Sequence, residues 1–541
     1  MTALLEPLVA VRGDEPAVID ARGATSWRAL DSRVTRLVHA LRSRGLASGD
    51  RIVAMLGNQS ELVELTVACA HGGWVLVPLN WHWVPREIAY VIDDAGAAAV
   101  VVDERWAAVM GEALSRAHGA DLKARLAVGA AAGAAAGAAA IDGFDGFDAY
   151  EALLASGVED TITDAEKGGP MFYTSGTTGD PKGVRSALTT VGGPPEMFAL
   201  MAHSFGPIIE VPPIGPHRAP GDAASVQLVC GPMYHSAQWV FAMFALYCGA
   251  TIVLQHKFDA ADLLDLVDEH GVTNLHLVPT QMVRMLDLSE ERRAAFDGAS
   301  LRSVIHGAAP CPPAVKRAMI DWLGPIVGEY YGGTEAGFVS MISASEWLER
   351  PGSVGRPVPI MEVVVVGPEG APLAANEPGD ICFRNAMGSD FEYHRAPDKT
   401  ASAHRPGGFG TLGDIGYLDD DGYLYLSDRK IDMVVSGGVN IYPAEIEGVL
   451  AAHPAIADVA VFGIPDEEMG EAVHAAVALR PGQVWSEELE SALDALCRAE
   501  LAGYKRPRSY EVHDELPRSE AGKLTKRTLR DPWWSDRDRA I

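Results

Sequence analysis

Short runs of β-branched residues alternate with segments of helical period over most of the first 340 residues. That alternation narrows the fold more than any other feature. Arg51–Met55, Leu76–Leu79 and Ala98–Asp103 read as strands, and Leu62–Trp74 and Glu87–Asp94 between them as helices. Ser26 stands as an N-cap before Leu30, Val34, Leu37 and Leu41, which recur at helical spacing. The alternation resumes with helices over Asp262–His270, Thr280–Leu288 and Pro313–Leu323, and strands over Asn274–Val278, Ser303–His306 and Val327–Tyr331. The apolar run Trp239–Leu254 falls short of the ~20 residues a membrane helix needs. Gly249 interrupts it, so it reads as a buried helix followed by a strand. Strands alternating with helices predict an α/β fold with parallel sheets covered on both faces. Ligands of such sheets sit beyond the carboxyl ends of strands. Two successive strands here run into small-residue turns, Gly307–Ala309 and Gly332–Glu335.

From about residue 352 the pattern changes. Val363–Val366, Asp380–Phe383 and Tyr423–Leu426 are strand-like and separated by Gly, Pro and Asp turns, which predicts a small β-rich subdomain over about 352–427. The short polar stretch 428–432 reads as a hinge. The expected organisation is an N-terminal domain over 1–427, the hinge, and an α+β C-terminal domain over 433–541. In the last, Tyr442–Ala451 and Glu487–Leu501 read as helices and Ala457–Gly463 and Glu471–Leu479 as strands. A chain of 541 residues has room for three or four such units. Residues 128–141 are an Ala/Gly tract without the side chains to specify a core. The Gly/Pro-rich segment 192–222 reads as a long connection carrying one helix over Met197–Ser204, and its role stays open.

The chain holds 44 Lys and Arg against 73 Asp and Glu, a net charge of −29, which argues against broad binding of nucleic acid or anionic membrane. The first twenty residues carry Glu6, Arg12, Asp14 and Glu15, which does not read as a signal peptide. With no transmembrane segment either, a cytoplasmic location is expected. The six cysteines are scattered with no C-x-x-C pair, which speaks against a disulfide framework or zinc site and fits a reducing compartment.

Within this acidic chain, Tyr173-Thr-Ser-Gly-Thr-Thr-Gly-Asp-Pro-Lys-Gly-Val184 gathers hydroxyls, three glycines and one lysine into twelve residues. Glycines let the backbone come close to a bulky anion, N–H groups and hydroxyls donate to it, and Lys182 adds charge. The spacing is not that of a Walker A loop. It reads as another polyphosphate cradle, with Thr174, Ser175, Gly176, Thr177, Thr178, Gly179 and Lys182 as its contacts.

This loop resembles that of the adenylate-forming superfamily, which includes acyl-CoA synthetases, luciferases and peptide-synthetase adenylation domains. Four more motifs follow in the order of that family: Tyr330–Gly337, Thr411–Gly416, Ser427–Asp432 with Val434–Glu447, and Pro517–Lys523. The resemblance runs from the Trp27 region to Arg530. It implies ATP, Mg²⁺ and coenzyme A as cofactors and a small-molecule carboxylic acid as substrate. It also implies that Glu335 and Thr174 sit at the metal and that Thr334 donates to the α-phosphate. The backbone of Gly307, Ala308 and Ala309 flanks adenine, and Tyr330, Tyr331, Gly332 and Gly333 complete the nucleotide motif. Asp414 accepts from the ribose hydroxyls, and Arg429 reaches ribose or phosphate. Lys182 orients the leaving pyrophosphate, and Lys523 bridges the carboxylate and the α-phosphate. His235 lines the acyl pocket, with Trp239, His306 and Gly332 as further candidates, while Phe241 lines it or fills core.

For the second half-reaction, the resemblance implies rotation of a mobile C-terminal domain. The rotation withdraws Lys523 and brings Ser436, Gly437 and Gly438 to a pantetheine arm, with Lys505 near a phosphate of coenzyme A. The pivot position is often Asp or Lys; here it is Ile431, followed by Asp432. The resulting reading is a carboxylic acid–CoA ligase acting through an acyl-adenylate, closest in character to fatty-acyl and bulky-acyl ligases. Adenylation serving an amine, a carrier-protein thiol or nitrite is the main alternative. A non-catalytic binding protein is disfavoured by Lys182, Glu335, Asp414 and Lys523, and nothing supports luciferase-like O₂ chemistry. The acid itself is not readable, because its pocket draws on 192–241 and 306–341 together. A homodimer is left open.

Overall fold

A computed structural model describes residues 2–119, 121–129, 146–174, 181–214, 224–429, 432–436, 439–466, 469–518 and 524–535, with backbone alone for Asp428, Arg429, Val439 and Asn440. Six parallel strands form one sheet, in the order Asp148–Ala149, Ala124–Val128, Ala97–Asp103, Arg51–Met55, Val75–Pro78 and Gly169–Pro170. Every residue of Ala97–Asp103 is buried, as expected of a parallel strand covered on both faces.

A second sheet has fifteen strands. It begins with the hairpin Pro16–Asp20 and Gly23–Ser26. It runs parallel through Thr251–Leu254, Val226–Val229, Asn274–Leu277, Ser303–His306 and Val327–Gly333. There it changes sense, continuing antiparallel through Gly337–Ile342, Ser353–Pro357, Leu424–Arg429, Asp414–Leu418 and Gly379–Asn385. Two expectations change accordingly. The strand Val327–Tyr331 extends to Gly333, because Gly337–Ile342 folds back on it and satisfies its backbone. The β-rich stretch beyond 352 has its own cluster of Val354, Ile381, Phe383 and Leu424, yet its strands hydrogen-bond directly onto the main sheet.

The helices form where capping and periodicity agree. Ser26 accepts from the Ala29 N–H, and Trp27, Leu30, Val34, Leu37 and Leu41 of Trp27–Ser43 are all fully buried. Burying each such Leu or Val contributes roughly 1.5–3 kcal/mol. The apolar run resolves into the helix Ser236–Tyr247 and the strand Thr251–Leu254. Between them Gly249 takes φ of 90°, a left-handed conformation that lets the chain reverse. Among the described residues no helix is long and apolar enough to cross a membrane.

Leu424–Arg429 is the last strand to join the large sheet, so residues 428 and 429 of the expected hinge belong to that strand. Val434–Ser436 opens a separate five-stranded sheet with Val439–Ile441, Ile456–Asp466, Gly470–Leu479 and Ser509–His513. The helices Pro443–Ala451 and Glu487–Glu500 contribute Ile446, Leu450, Leu493 and Cys497 to its core, beside Val434, Ile441, Val461 and Val477.

One buried histidine makes the fold sensitive to pH. His71 Nδ1 donates to the Val67 carbonyl at 2.9 Å, and Nε2 accepts from the Leu4 N–H at 3.2 Å. Burial lowers its pKa to about 4. The unfolded chain binds a proton below about pH 6.5, whereas the folded ring does so only near its lowered pKa. The contribution is therefore complete above pH 6.5 and lost as pH falls, at about 1.4 kcal/mol per pH unit. Denaturant unfolding between pH 7.5 and 5.0 should show this decline, and His71→Gln should flatten it by about that slope. An unchanged slope in the variant would assign the decline to other groups.

Candidate active site

The phosphate-loop motif is the closed end of a hairpin. Phe172–Thr174 and Lys182–Arg185 pair antiparallel, with Thr174 opposite Lys182. The strand geometry thus sets the loop's first hydroxyl beside its lysine. Gly183 fits closely here, since a Cβ would come to 3.0 Å from the Tyr173 ring and 3.2 Å from His394 Cβ. The hairpin is tied to the helix Pro85–Ala95: Tyr173 Oη donates to Asp94 at 2.7 Å, and Lys182 Nζ donates to Tyr90 Oη at 3.3 Å. Ser175, Gly176, Thr177, Thr178 and Gly179 lie outside the described residues.

Glu392–Tyr393 adds a third strand to the hairpin, with Tyr393 opposite Val184. Tyr393 Oη donates to Glu335 Oε1 at 3.0 Å. Glu335 and Thr334 occupy the turn between Val327–Gly333 and Gly337–Ile342. The pairing bulges between Tyr331 and Gly332, and a Cβ on Gly332 would fall 1.9 Å from the Gly337 carbonyl oxygen. Only glycine allows so close an approach. Thr334 Oγ1 lies 2.8 Å from Ser236 Oγ, at the start of the Ser236–Tyr247 helix. The turn is thereby held from two sides, by Tyr393 and by Ser236.

The expected ribose contacts also converge. Tyr331 Oη donates to Asp414 Oδ2 at 2.7 Å, and Asp414 is directly opposite Arg429 in the strand ladder. Gly307 is followed by Ala308 with φ of 65°, a left-handed conformation uncommon for alanine and worth noting at a ligand turn. A Cβ on Gly307 would come within 2.5 Å of the Tyr330 ring.

Strand register sorts the aromatic and histidine candidates between two faces. Tyr330 turns toward Phe241 on the Ser236–Tyr247 helix and toward Phe338, at ring separations of 5.9 and 4.7 Å. His276 lies on the same face, stacked on Phe241 at 4.2 Å and paired with Gln238 at 3.0 Å. Burial lowers the His276 pKa to about 3, so the ring is neutral at ordinary pH. Trp239 is buried edge-on against Phe172 and Phe198. Its indole N–H has no hydrogen-bond partner among the described residues. His235 is half-buried as the residue capping that helix and packs on Tyr234 at 4.6 Å.

His306 faces the other way. It is opposite Glu329 in the ladder, its Nε2 lies 3.7 Å from Glu329 Oε2, and Lys316 Nζ pairs with the same oxygen at 2.5 Å. All three are buried, and burial with the nearby Lys316 charge holds the imidazole well below its ordinary pKa. His306 therefore belongs to a buried charged cluster behind the Gly307–Ala309 turn, on the side away from the helix that carries His235 and Trp239.

In the C-terminal part, Ser436 ends the strand Val434–Ser436 opposite Gly470. Lys505 Nζ is held by both oxygens of Glu445, at 2.7 and 2.6 Å. Asp432 accepts from Arg530 at 3.4 Å. Ile431, Gly437, Gly438 and Lys523 lie outside the described residues. The segment carrying Lys523 is closed at its base by a backbone bridge between Arg518 and Leu524. Sequence reasoning gave no place to Ser236, His276 and Tyr393, which the structure sets beside the expected residues. The first adjoins His235 and could have been suspected as a first-turn serine; the other two gave no local signal.

A family model described as "AMP-binding enzyme" matches residues 5–389, and one described as "AMP-binding enzyme C-terminal domain" matches 445–523. A fatty acid–[acyl-carrier-protein] ligase of Streptomyces coeruleorubidus is 32% identical over 97% of this chain and 95% of its own length. A feruloyl-CoA synthase of Amycolatopsis sp is 32% identical over 94% of each. Among solved structures, ATP-bound MatB from Rhodopseudomonas palustris superposes with a TM-score of 0.80 at 28% identity, covering 99% of both chains. The amide bond synthetase McbA from Marinactinospora thermotolerans gives 0.80 at 26% identity, covering 98% of this chain and 100% of that one.

The buried pair behind the nucleotide turn yields a stability test. Burial raises the Glu329 pKa and lowers that of Lys316, each opposed by the partner's charge. Lys316→Met leaves a carboxylate buried without compensation and should destabilise by about 3–5 kcal/mol. Adding Glu329→Leu should recover much of that loss. A double variant as unstable as the single one would show that packing, not charge, governs the site.

Proposed function

The chain belongs to the AMP-binding enzyme family and is an ATP-dependent acid–thiol ligase, and from that premise we propose that it activates a fatty or bulky aryl carboxylic acid as the acyl-adenylate and transfers it to coenzyme A. The observation that supports this most is the convergence of three separate motifs. Tyr393 joins the Thr174–Lys182 strand pair to the Thr334–Glu335 turn, and that turn follows in the chain directly on Tyr331, which holds Asp414.

In the first half-reaction a substrate carboxylate oxygen attacks the α-phosphorus of ATP. The bond from that phosphorus to the bridging oxygen breaks, and pyrophosphate leaves with the electron pair. Two anions must approach each other, so cationic and hydrogen-bonding groups govern the barrier. Thr334 donates to the α-phosphate, Asp414 with Arg429 holds the ribose, and Gly307–Ala309 with Tyr330 and Tyr331 frames adenine. Lys182 and the 174–179 loop orient the pyrophosphate end. Lys523, a compact cation, meets the carboxylate and the α-phosphate together. Glu335 offers a hard carboxylate oxygen held by Tyr393, and with Thr174, which the family resemblance assigns to the same ion, it would hold Mg²⁺. Bound there, the ion supplies neutralisation of phosphate charge.

His235, Trp239 and the buried Phe241, His276 and Phe338 are assigned to the acyl side of Thr334. For thioester formation, rotation about 428–432 brings Ser436, Gly437 and Gly438 to the site. Lys505 can then meet a phosphate of coenzyme A only by releasing Glu445.

A second reading, transfer to a carrier-protein thiol, is favoured by the likeness to the Streptomyces coeruleorubidus ligase across 97% of the chain. Pyrophosphate release should be measured with octanoate, palmitate, ferulate and o-succinylbenzoate, each with coenzyme A, with holo acyl carrier protein, or with neither. The expected result is acid-dependent pyrophosphate release with thioester formed on coenzyme A. Thioester only on the carrier protein would replace the acceptor, and no acid-dependent release would refute adenylation of these classes.

The two lysines should separate by role. Lys523→Ala is expected to reduce adenylation by about 10²–10³ while leaving thioester formation from a preformed acyl-adenylate intact. Lys182→Ala should reduce adenylation less. The reverse order would exchange the two assignments.

A further inference from the structure

Resting on that reading of the nucleotide site, we propose that Lys399 is a second phosphate-binding lysine, set across from Lys182 to hold the pyrophosphate end of ATP. Lys399 lies on the short helix Pro397–Ser402, directly after the strand that carries Tyr393. Its ammonium sits 4.6 Å from the centre of the Tyr393 ring, and the hydroxyl of that ring donates to Glu335. Tyr393 is in turn opposite Val184, two residues beyond Lys182. Three charged groups from three different segments thus surround one tyrosine: Glu335, Lys182 and Lys399.

The two lysines are unlike the other cations nearby. Arg185 pairs with Glu392 at 2.7 Å, and Arg395 donates to the Asp93 carbonyl at 3.2 Å. Among the described residues Lys399 has only the ring face as partner, and Lys182 has only Tyr90. Neither has an ion-pairing carboxylate, in a chain where acids outnumber bases 73 to 44. The ring face attracts a half-buried ammonium. That does not neutralise it. Burial lowers the pKa of Lys399, Glu335 opposes the shift and Lys182 adds to it, so all three charges act on one another.

Two unneutralised ammoniums beside a carboxylate complement a magnesium-bound polyphosphate. The carboxylate faces the metal, and the lysines face the oxygens that gain charge as pyrophosphate departs. AMP has no β- or γ-phosphate, so it would not reach Lys399.

That difference gives the test. Dissociation constants for Mg–ATP, Mg–pyrophosphate and AMP are measured by calorimetry on the full chain, for wild type, Lys399→Met and Lys399→Arg. Methionine keeps an apolar stem over Tyr393, so a packing role would survive in it. Expected for Lys399→Met is a loss of about ten- to hundredfold for Mg–ATP and Mg–pyrophosphate, with AMP unchanged and most affinity kept by Lys399→Arg. Equal losses for AMP and Mg–ATP, or none for either, would overturn the proposal. A wild-type chain that binds neither nucleotide would overturn the nucleotide-site reading itself.

Discussion

The contact on which the site depends is the approach of Gly332 to the Gly337 carbonyl, where no side chain fits. A parallel sheet would otherwise simply end at its carboxyl edge. Instead, the sixth parallel strand of the large sheet continues past Tyr331, bulges, and reverses within Thr334–Ala336. The reversal does two things at once. It projects Thr334 and Glu335 beyond the strand ends, where ligands of such sheets bind. It also starts the antiparallel extension that brings Asp414 and Arg429 back beside Tyr331. Glycine at 332 therefore sets both the turn that carries Thr334 and Glu335 and the sheet that carries Asp414 and Arg429.

Tyrosine hydroxyls do the joining between segments. Tyr173 donates to Asp94, Tyr331 to Asp414 and Tyr393 to Glu335, at 2.7, 2.7 and 3.0 Å. A neutral donor orients a carboxylate without cancelling its charge, which an arginine in the same place would do. Orientation without neutralisation suits a site that must still offer Glu335 to a cation. Elsewhere in the chain arginines do cancel their acids: Arg22 pairs with Glu61 and Asp20, and Arg33 with Glu64 and Glu151. Those pairs close on themselves, whereas among the described residues Lys182 and Lys399 have only Tyr90 and Tyr393 as partners.

Much of the fold was legible because local rules and burial agree. Ser26 caps its helix, Leu30 to Leu41 face inward, and Gly249 divides helix from strand as its conformation requires. What could not be read was which face a strand residue presents. His276 and His306 lie on neighbouring strands with similar flanking residues, yet register places one against Phe241 and the other against Glu329. A one-residue difference in pairing inverts that outcome, and pairing partners are not local information. Lys399 was invisible for a related reason. Its significance lies in Tyr393 being paired with the phosphate hairpin more than two hundred residues earlier, a contact that no short motif encodes.

The described residues on either side of 519–523 are anchored to the small C-terminal sheet. Arg518 is held by Asp458 at 2.6–2.9 Å, Lys526 by Glu447 at 2.9 Å, and Arg530 reaches Asp432. All of these anchors belong to the five-stranded sheet, its helices or the residues leading into it. The large sheet meanwhile stops at Arg429 and the small one starts at Val434, leaving only 430–433 between them. Under the proposed rotation, Arg518, Lys526 and the strand end at Ser436 must therefore travel together, because all are fixed to one core. Bringing one toward the nucleotide turn necessarily takes the others along a linked path. Such coupling allows one short linker to order the two half-reactions without a separate signal.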